Sequence, residues 1–105
     1  MGKLSDVCMR ENIQVCQTSA EALNNFTGNL VGGGIAFQRN GKKYIALDET
    51  LSGWEKLLVL AHETAHHIFG HLDKDEITEQ MEDEARLFSV VYAALYMFAE
   101  SGVNA

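Results

Sequence analysis

The period of the hydrophobic positions changes once along this chain, near Ser52, and the change divides it into two kinds of structure. Before that point, Ile13, Val15 and Gln17 alternate with polar neighbours in "NIQVCQT", the pattern of a half-buried strand. "GGGIAFQRNGKKYIALDE" holds two more strand-like runs around Asn40-Gly41, a pair that supplies the positive backbone angles of a two-residue hairpin. A short helix is expected before the first strand, and one helical turn with a loop over "SAEALNNFTGNLV". The first half therefore predicts a small antiparallel sheet of about three strands.

Beyond Ser52, positions Trp54, Leu57, Leu58, Ala61, Ala65 and Ile68 follow helical spacing. Ser52 is placed as the N-cap, Glu55 completes a capping box and Gly70 ends the helix. The polar stretch "HLDKDE" leads to a second helix from about Ile77, with Met81, Phe88, Tyr92 and Leu95 in one stripe. After Ser89 this helix is apolar all round, so it is expected to lie centrally in the domain or to complete its burial as a homodimer against a second copy. Together these elements predict a single α+β domain over residues 1–105, its sheet packed on the two helices.

Composition narrows the function classes. A hydrophobic share of 47% with 22% charged residues belongs to a globular domain. The net charge of -7 repels phosphate backbones, so nucleic acid is not the expected partner. Cys8 and Cys16 are too few for a disulfide framework and are read as reduced thiols. "MGKLSDVCMRENIQ" lacks the apolar run of a signal peptide, and the longest apolar run, "VVYAALYMFA", is too short to span a bilayer. The expectation is a soluble cytoplasmic protein with no membrane partner.

All four histidines fall in "HETAHHIFGH", residues 62–71. His62 and His66 stand one helical turn apart on one face, with Cβ atoms about 6 Å from each other, and two imidazoles so placed converge on one ion. The motif His62-Glu63-Thr64-Ala65-His66 is HExxH, which supplies two zinc ligands and a base from one turn. Glu63 is the candidate catalytic base, within reach of water activated by Zn2+. His67 is rotated about 100° from His66. The longer pattern HExxHxxGxxH would need a glycine at position 69 and a histidine at position 72, where the chain has Phe69 and Leu72. His67 and His71 are therefore expected behind the ligands, at the surface or at the helix end, with His71 as third ligand the lesser alternative.

A catalytic zinc held by two histidines usually takes a carboxylate as its third protein ligand. Seven acids and one lysine lie between Asp73 and Glu84, and Asp75, Glu76 and Glu79 are explained as partners of a helix N-terminus. Within "EDEA", Glu84 falls in the Met81, Phe88, Leu95 stripe, while Glu82 shares a face with Ala85, Arg86, Ser89 and Ala93. Small residues favour close helix approach and so favour Glu82, but the wheel leaves both carboxylates open as ligand or as orienter of a histidine.

"LLVLAHETAHHIFGH" followed by "EDEARLFS" resembles the ImmA/IrrE family of metallopeptidases, whose motifs read like AHELAHHLLGH and then ExEANxFA. The resemblance runs from Gly32 to Ala93 and implies a zincin-like fold. It implies zinc held by His62, His66 and Glu82, with Glu63 as base. It also implies a protein or peptide substrate, the characterised type of this phage and mobile-element family cleaving a helix-turn-helix repressor. The chain departs from the pattern at Arg86, where the family has Asn, and a cation so near Glu82 is a rival partner for it.

Two classes of function are thus in view. One is a zinc endopeptidase with Gly34 to Gln38 as an edge along which substrate adds as a strand, Gly32 to Gly34 making the edge approachable. In it Tyr44, Tyr92 or Tyr96 would steady the oxyanion. The other is a non-catalytic zincin-like metal-binding module that binds a partner protein. A lesser variant has Cys8 or Cys16 capping the zinc.

Overall fold

Leu4–Arg10 forms helix α1, Ile13–Thr18 strand β1, Ala20–Thr27 helix α2, Gly34–Arg39 strand β2 and Lys42–Asp48 strand β3. Gly53–Ile68 then forms helix α3 and Glu79–Glu100 helix α4, with a turn of 3-10 helix over His71–Asp73 between them. This computed structural model describes residues 4–27, 33–74 and 76–100, with the side chains of 26, 27 and 96–100 excepted. The expected roles of Gly32, Asp75 and the Tyr96 side chain lie outside the described residues.

The α+β arrangement and the three strands agree with expectation, but the sheet is mixed. Its order is β1-β3-β2, with β3 antiparallel to β2 and parallel to β1. After β1, α2 leads to a strand laid one place away, and the hairpin returns β3 into the gap. Alternating hydrophobicity encodes which face a residue takes, not the direction of the strand, so it could not reveal the parallel pair. The hairpin itself forms at Asn40 and Gly41, with φ of 53° and 77°. In β1 only Ile13 is buried and Val15 is exposed.

Helix α3 starts where the period changed. Ser52 stands at the N-cap with extended backbone, but its side chain makes no capping hydrogen bond, so the expected capping box does not close. At the other end Phe69 N–H bonds to Ala65 O and Gly70 turns left-handed at φ 71°, a stop that glycine makes without steric cost. Helix α4 is capped by Thr78, whose Oγ1 accepts from Met81 N–H at 3.2 Å.

One face of the sheet packs under α3, where Cys8, Ile13, Ala36, Ile45 and Leu47 meet Val59, Leu60 and Leu72. Helix α3 also receives α4, and the buried residues of α4 are small: Ala85, Ser89 and Ala93. The buried face of α4 is thus rotated from the expected stripe. Leu87, Val90, Val91 and Leu95 are exposed, because Ala and Ser allow a closer approach than branched side chains do. Among the described residues no helix is long and apolar enough to cross a membrane.

Gly34 is fixed by packing and not by a turn. A Cβ there would lie 2.8 Å from Val59 Cγ1 and 3.1 Å from Leu47 Cδ2. Gly34→Ala should therefore lower the unfolding free energy by about 1–3 kcal/mol through overpacking. In urea denaturation, adding Val59→Ala should recover part of that loss, and strict additivity of the two changes would refute the steric account.

Candidate metal centre

One turn of α3 and the first turns of α4 meet at a single carboxylate oxygen. Glu82 Oε1 lies 3.2 Å from His62 Nε2 and 2.7 Å from His66 Nε2. The three donor atoms all fall within 4.8 Å of one another. Tetrahedral zinc ligands at 2.0–2.2 Å from the ion stand about 3.4 Å apart, so two imidazoles and one carboxylate fit a divalent metal by spacing and by donor chemistry. Glu82 reaches this point because Ala85 and Ser89, on its own face, hold α4 close to α3. The site is asymmetric in exposure. His66 is buried, whereas the His62 and Glu82 side chains are 23% and 45% exposed, leaving one side open to water.

Glu84 is not brought to this group. Its Oε1 stands 3.9 Å from His71 Nε2, on a side chain that is half exposed. Arg86, the feared competitor, pairs with Asp83 at 2.6 Å instead of Glu82, as an exposed i,i+3 contact along α4.

Glu63 lies against strand β2. Its carboxylate accepts a backbone hydrogen bond from Ala36. Asp48 N–H bonds to Gly33 O, so the hydrogen-bonded pairs of the hairpin continue at 35, 37 and 39, and the peptide groups of 34, 36 and 38 face the outer edge. Glu63 therefore meets β2 at the edge that, among the described residues, pairs with no strand. Burial, reinforced by the negative charge of Glu82 and opposed by the Ala36 N–H, pushes the Glu63 carboxyl up to about 8. Burial also lowers His66 below the ordinary imidazole range, against the pull of Glu82, so its neutral form with a free lone pair is favoured.

The two remaining histidines are both buried, which excludes the surface role. His67 turns to the sheet and donates from Nε2 to Tyr44 O at 2.8 Å, while its buried Nδ1 has no hydrogen-bond partner among the described residues. His71 returns after Gly70 to place its Nδ1 3.0 Å from His66 Nδ1. Sequence reasoning missed that contact and the one between Glu63 and Ala36. The left-handed Gly70 was the signal for the first, since such a stop reverses the chain toward the last helical turn. Cys8 meets Thr64 Oγ1 at 3.6 Å inside the core and Cys16 is exposed on β1, and neither belongs to the donor group. Tyr44 stacks on Phe37 and Tyr92 on Phe88.

Residues 8–103 match the family model of Peptidase M78, the IrrE N-terminal-like domain. The chain belongs to this family. No curated protein and no solved structure gave a significant match. An IrrE N-terminal-like domain of a peptidase family implies metallopeptidase chemistry and a metal, and His62, His66 and Glu82 are the donor group that the described residues offer one.

The raised Glu63 fixes a pH dependence for the metal-free chain. Unfolded, this carboxyl ionises near 4.3; folded, it holds its proton to about 8. Between those values the folded state binds more protons, so this group makes stability fall as pH rises. His66 and His67, both lowered by burial, act oppositely below about 6.5 and are common to wild type and variant. In chelator, Glu63→Gln should lose less stability than wild type between pH 5 and 8, read from urea midpoints. Equal losses would contradict the burial of Glu63.

Proposed function

We propose that the chain is a zinc-dependent endopeptidase in which His62, His66 and Glu82 hold Zn2+ and Glu63 is the general base. The convergence of both imidazole nitrogens on one Glu82 oxygen, beside a carboxyl raised to about 8, carries this reading. A divalent metal bound there would supply a Lewis acid for the scissile carbonyl and acidify the attacking water. Positive charge at the three donors would also offset the repulsion between Glu63 and Glu82 and bring Glu63 toward its ionised, proton-accepting form. Glu63 then takes a proton from the water and returns it to the leaving amide nitrogen. The outer edge of β2 would take an extended substrate, whose backbone would pair as an added strand with the peptide groups of 34 and 38 and the carbonyl of 36, the Ala36 N–H being held by Glu63.

The substrate class we infer is protein, with a helix-turn-helix repressor of a phage or mobile element the specific proposal and the cytoplasm the compartment. The charge of -7 supports a protein over a nucleic acid substrate. The exposed row Leu87, Val90, Val91 and Leu95 on α4 favours a second reading, a non-catalytic module that binds a partner protein or a second copy of itself.

The experiment is incubation of purified protein, its zinc content measured, with a helix-turn-helix repressor encoded beside it, against Glu63→Gln. The variant should keep its zinc and lose roughly 10²–10⁴-fold in cleavage rate. Cleavage by both forms, or by neither while zinc is bound, sinks the protease reading. In the same preparations Glu82→Ala should abolish stoichiometric zinc, whereas Glu84→Ala should retain it; the reverse result would move the ligand to Glu84.

A further inference from the structure

We propose that His71 is a positioning residue for the metal site, holding the His66 ring in the orientation and tautomer that turn a bare Nε2 toward the centre. The proposal rests on the reading of His66 as a ligand and assigns the residue that makes it one.

The two rings are brought together by the end of α3. Gly70 at φ 71° turns the chain back, and His71 comes to lie beside the last helical turn, its Nδ1 3.0 Å from His66 Nδ1. Both residues are at most 4% exposed, and the Phe69 ring packs on His71 with centroids 5.7 Å apart. Water does not compete for this contact, so the two facing nitrogens must share one proton, one donating and the other accepting. A pair with a proton on each Nδ1 would set two N–H groups against each other, and a pair with a proton on neither would set two lone pairs against each other.

Two neutral arrangements satisfy the pair. In one, His71 Nδ1–H donates to His66 Nδ1, and His66 carries its own proton on Nε2, pointed at Glu82 Oε1 2.7 Å away. In the other, His66 Nδ1–H donates to His71 Nδ1, His66 Nε2 is bare, and His71 carries its proton on Nε2, facing Glu84 Oε1 at 3.9 Å. Only the second leaves His66 a lone pair for a cation, and the negative Glu84 side chain favours a proton on the His71 nitrogen that faces it. Passing from the first to the second, a proton leaves His66 Nε2 for solvent, one moves from His71 Nδ1 to His66 Nδ1, and one enters at His71 Nε2. Charge and proton count are unchanged. His71 cannot itself be a ligand in this geometry, since one nitrogen is spent on His66 and the other faces away toward Glu84.

The test joins long-range nitrogen–proton NMR of the imidazoles to zinc affinity measured by competition with a chromogenic chelator. In the zinc-loaded wild type, His66 should report the Nδ1–H tautomer and His71 the Nε2–H tautomer. His71→Phe, which keeps a ring of similar size but removes the acceptor, should weaken zinc binding roughly 10–100-fold, and His71→Gln, which restores an acceptor oxygen, should recover most of it. A zinc-loaded wild type with the proton on His71 Nδ1 overturns the proposal even if His71→Phe fails to fold. Zinc lost in His66→Ala but held undiminished by folded His71→Phe overturns it alone. A wild type that takes up no zinc overturns the metal site, and the proposal with it.

Discussion

The close approach of α3 and α4 is the constraint on which the site depends. Two imidazoles one turn apart on α3 define a direction, not a site, until a third donor arrives from outside the helix. It arrives because α4 buries only small residues, Ala85 and Ser89, on the face of Glu82, so a glutamate at the head of α4 reaches both rings. Larger residues at these positions would separate the helix axes and withdraw Glu82 by more than a metal–ligand bond tolerates. The hydroxyl buried in the contact is satisfied locally, Ser89 Oγ donating to Arg86 O at 2.7 Å, so closeness is not bought with an unpaired polar group.

The same closeness concentrates charge. Burial first, and the negative charge of Glu82 second, push the Glu63 carboxyl up, so ionising it in the bare chain is penalised. A cation removes that penalty, which makes the arrangement a poor stabiliser of the bare chain and a good receptor for a metal. On the far side the sheet serves the site through two contacts. Ala36 gives Glu63 a backbone donor at the outer edge of β2, and Tyr44 O anchors His67, fixing the rotation of α3 on the sheet. Gly34 keeps that edge pressed to α3 at Val59, so Glu63 and the strand form one surface.

How much of this the sequence carried follows from what each signal encodes. HExxH was legible because helical geometry alone puts His62 and His66 on one face. The choice between Glu82 and Glu84 was only half legible: both stand near the start of a helix, and a wheel gives faces without saying which face is buried. Small residues around Glu82 were the clue that the packing uses. The parallel pairing of β1 with β3 was not legible, because alternation carries no strand direction, and the exposure of Leu95 was not, because an apolar helix end has no preferred face. His71 illustrates the deepest limit. Its spacing fails the three-histidine pattern, yet its meeting with His66 depends on the backbone turn at Gly70, a tertiary consequence that no periodicity records.

The metal centre stands or falls on its ligand set, which X-ray absorption at the zinc edge of the loaded wild-type chain reads most directly. Two histidines and Glu82 should give nitrogen and oxygen at about 2.0–2.2 Å, with scattering from two imidazoles and no sulfur. A third imidazole would bring His71 or His67 into the shell, and sulfur at about 2.3 Å would bring a cysteine; either result would contradict the assembly of His62, His66 and Glu82 as the metal centre.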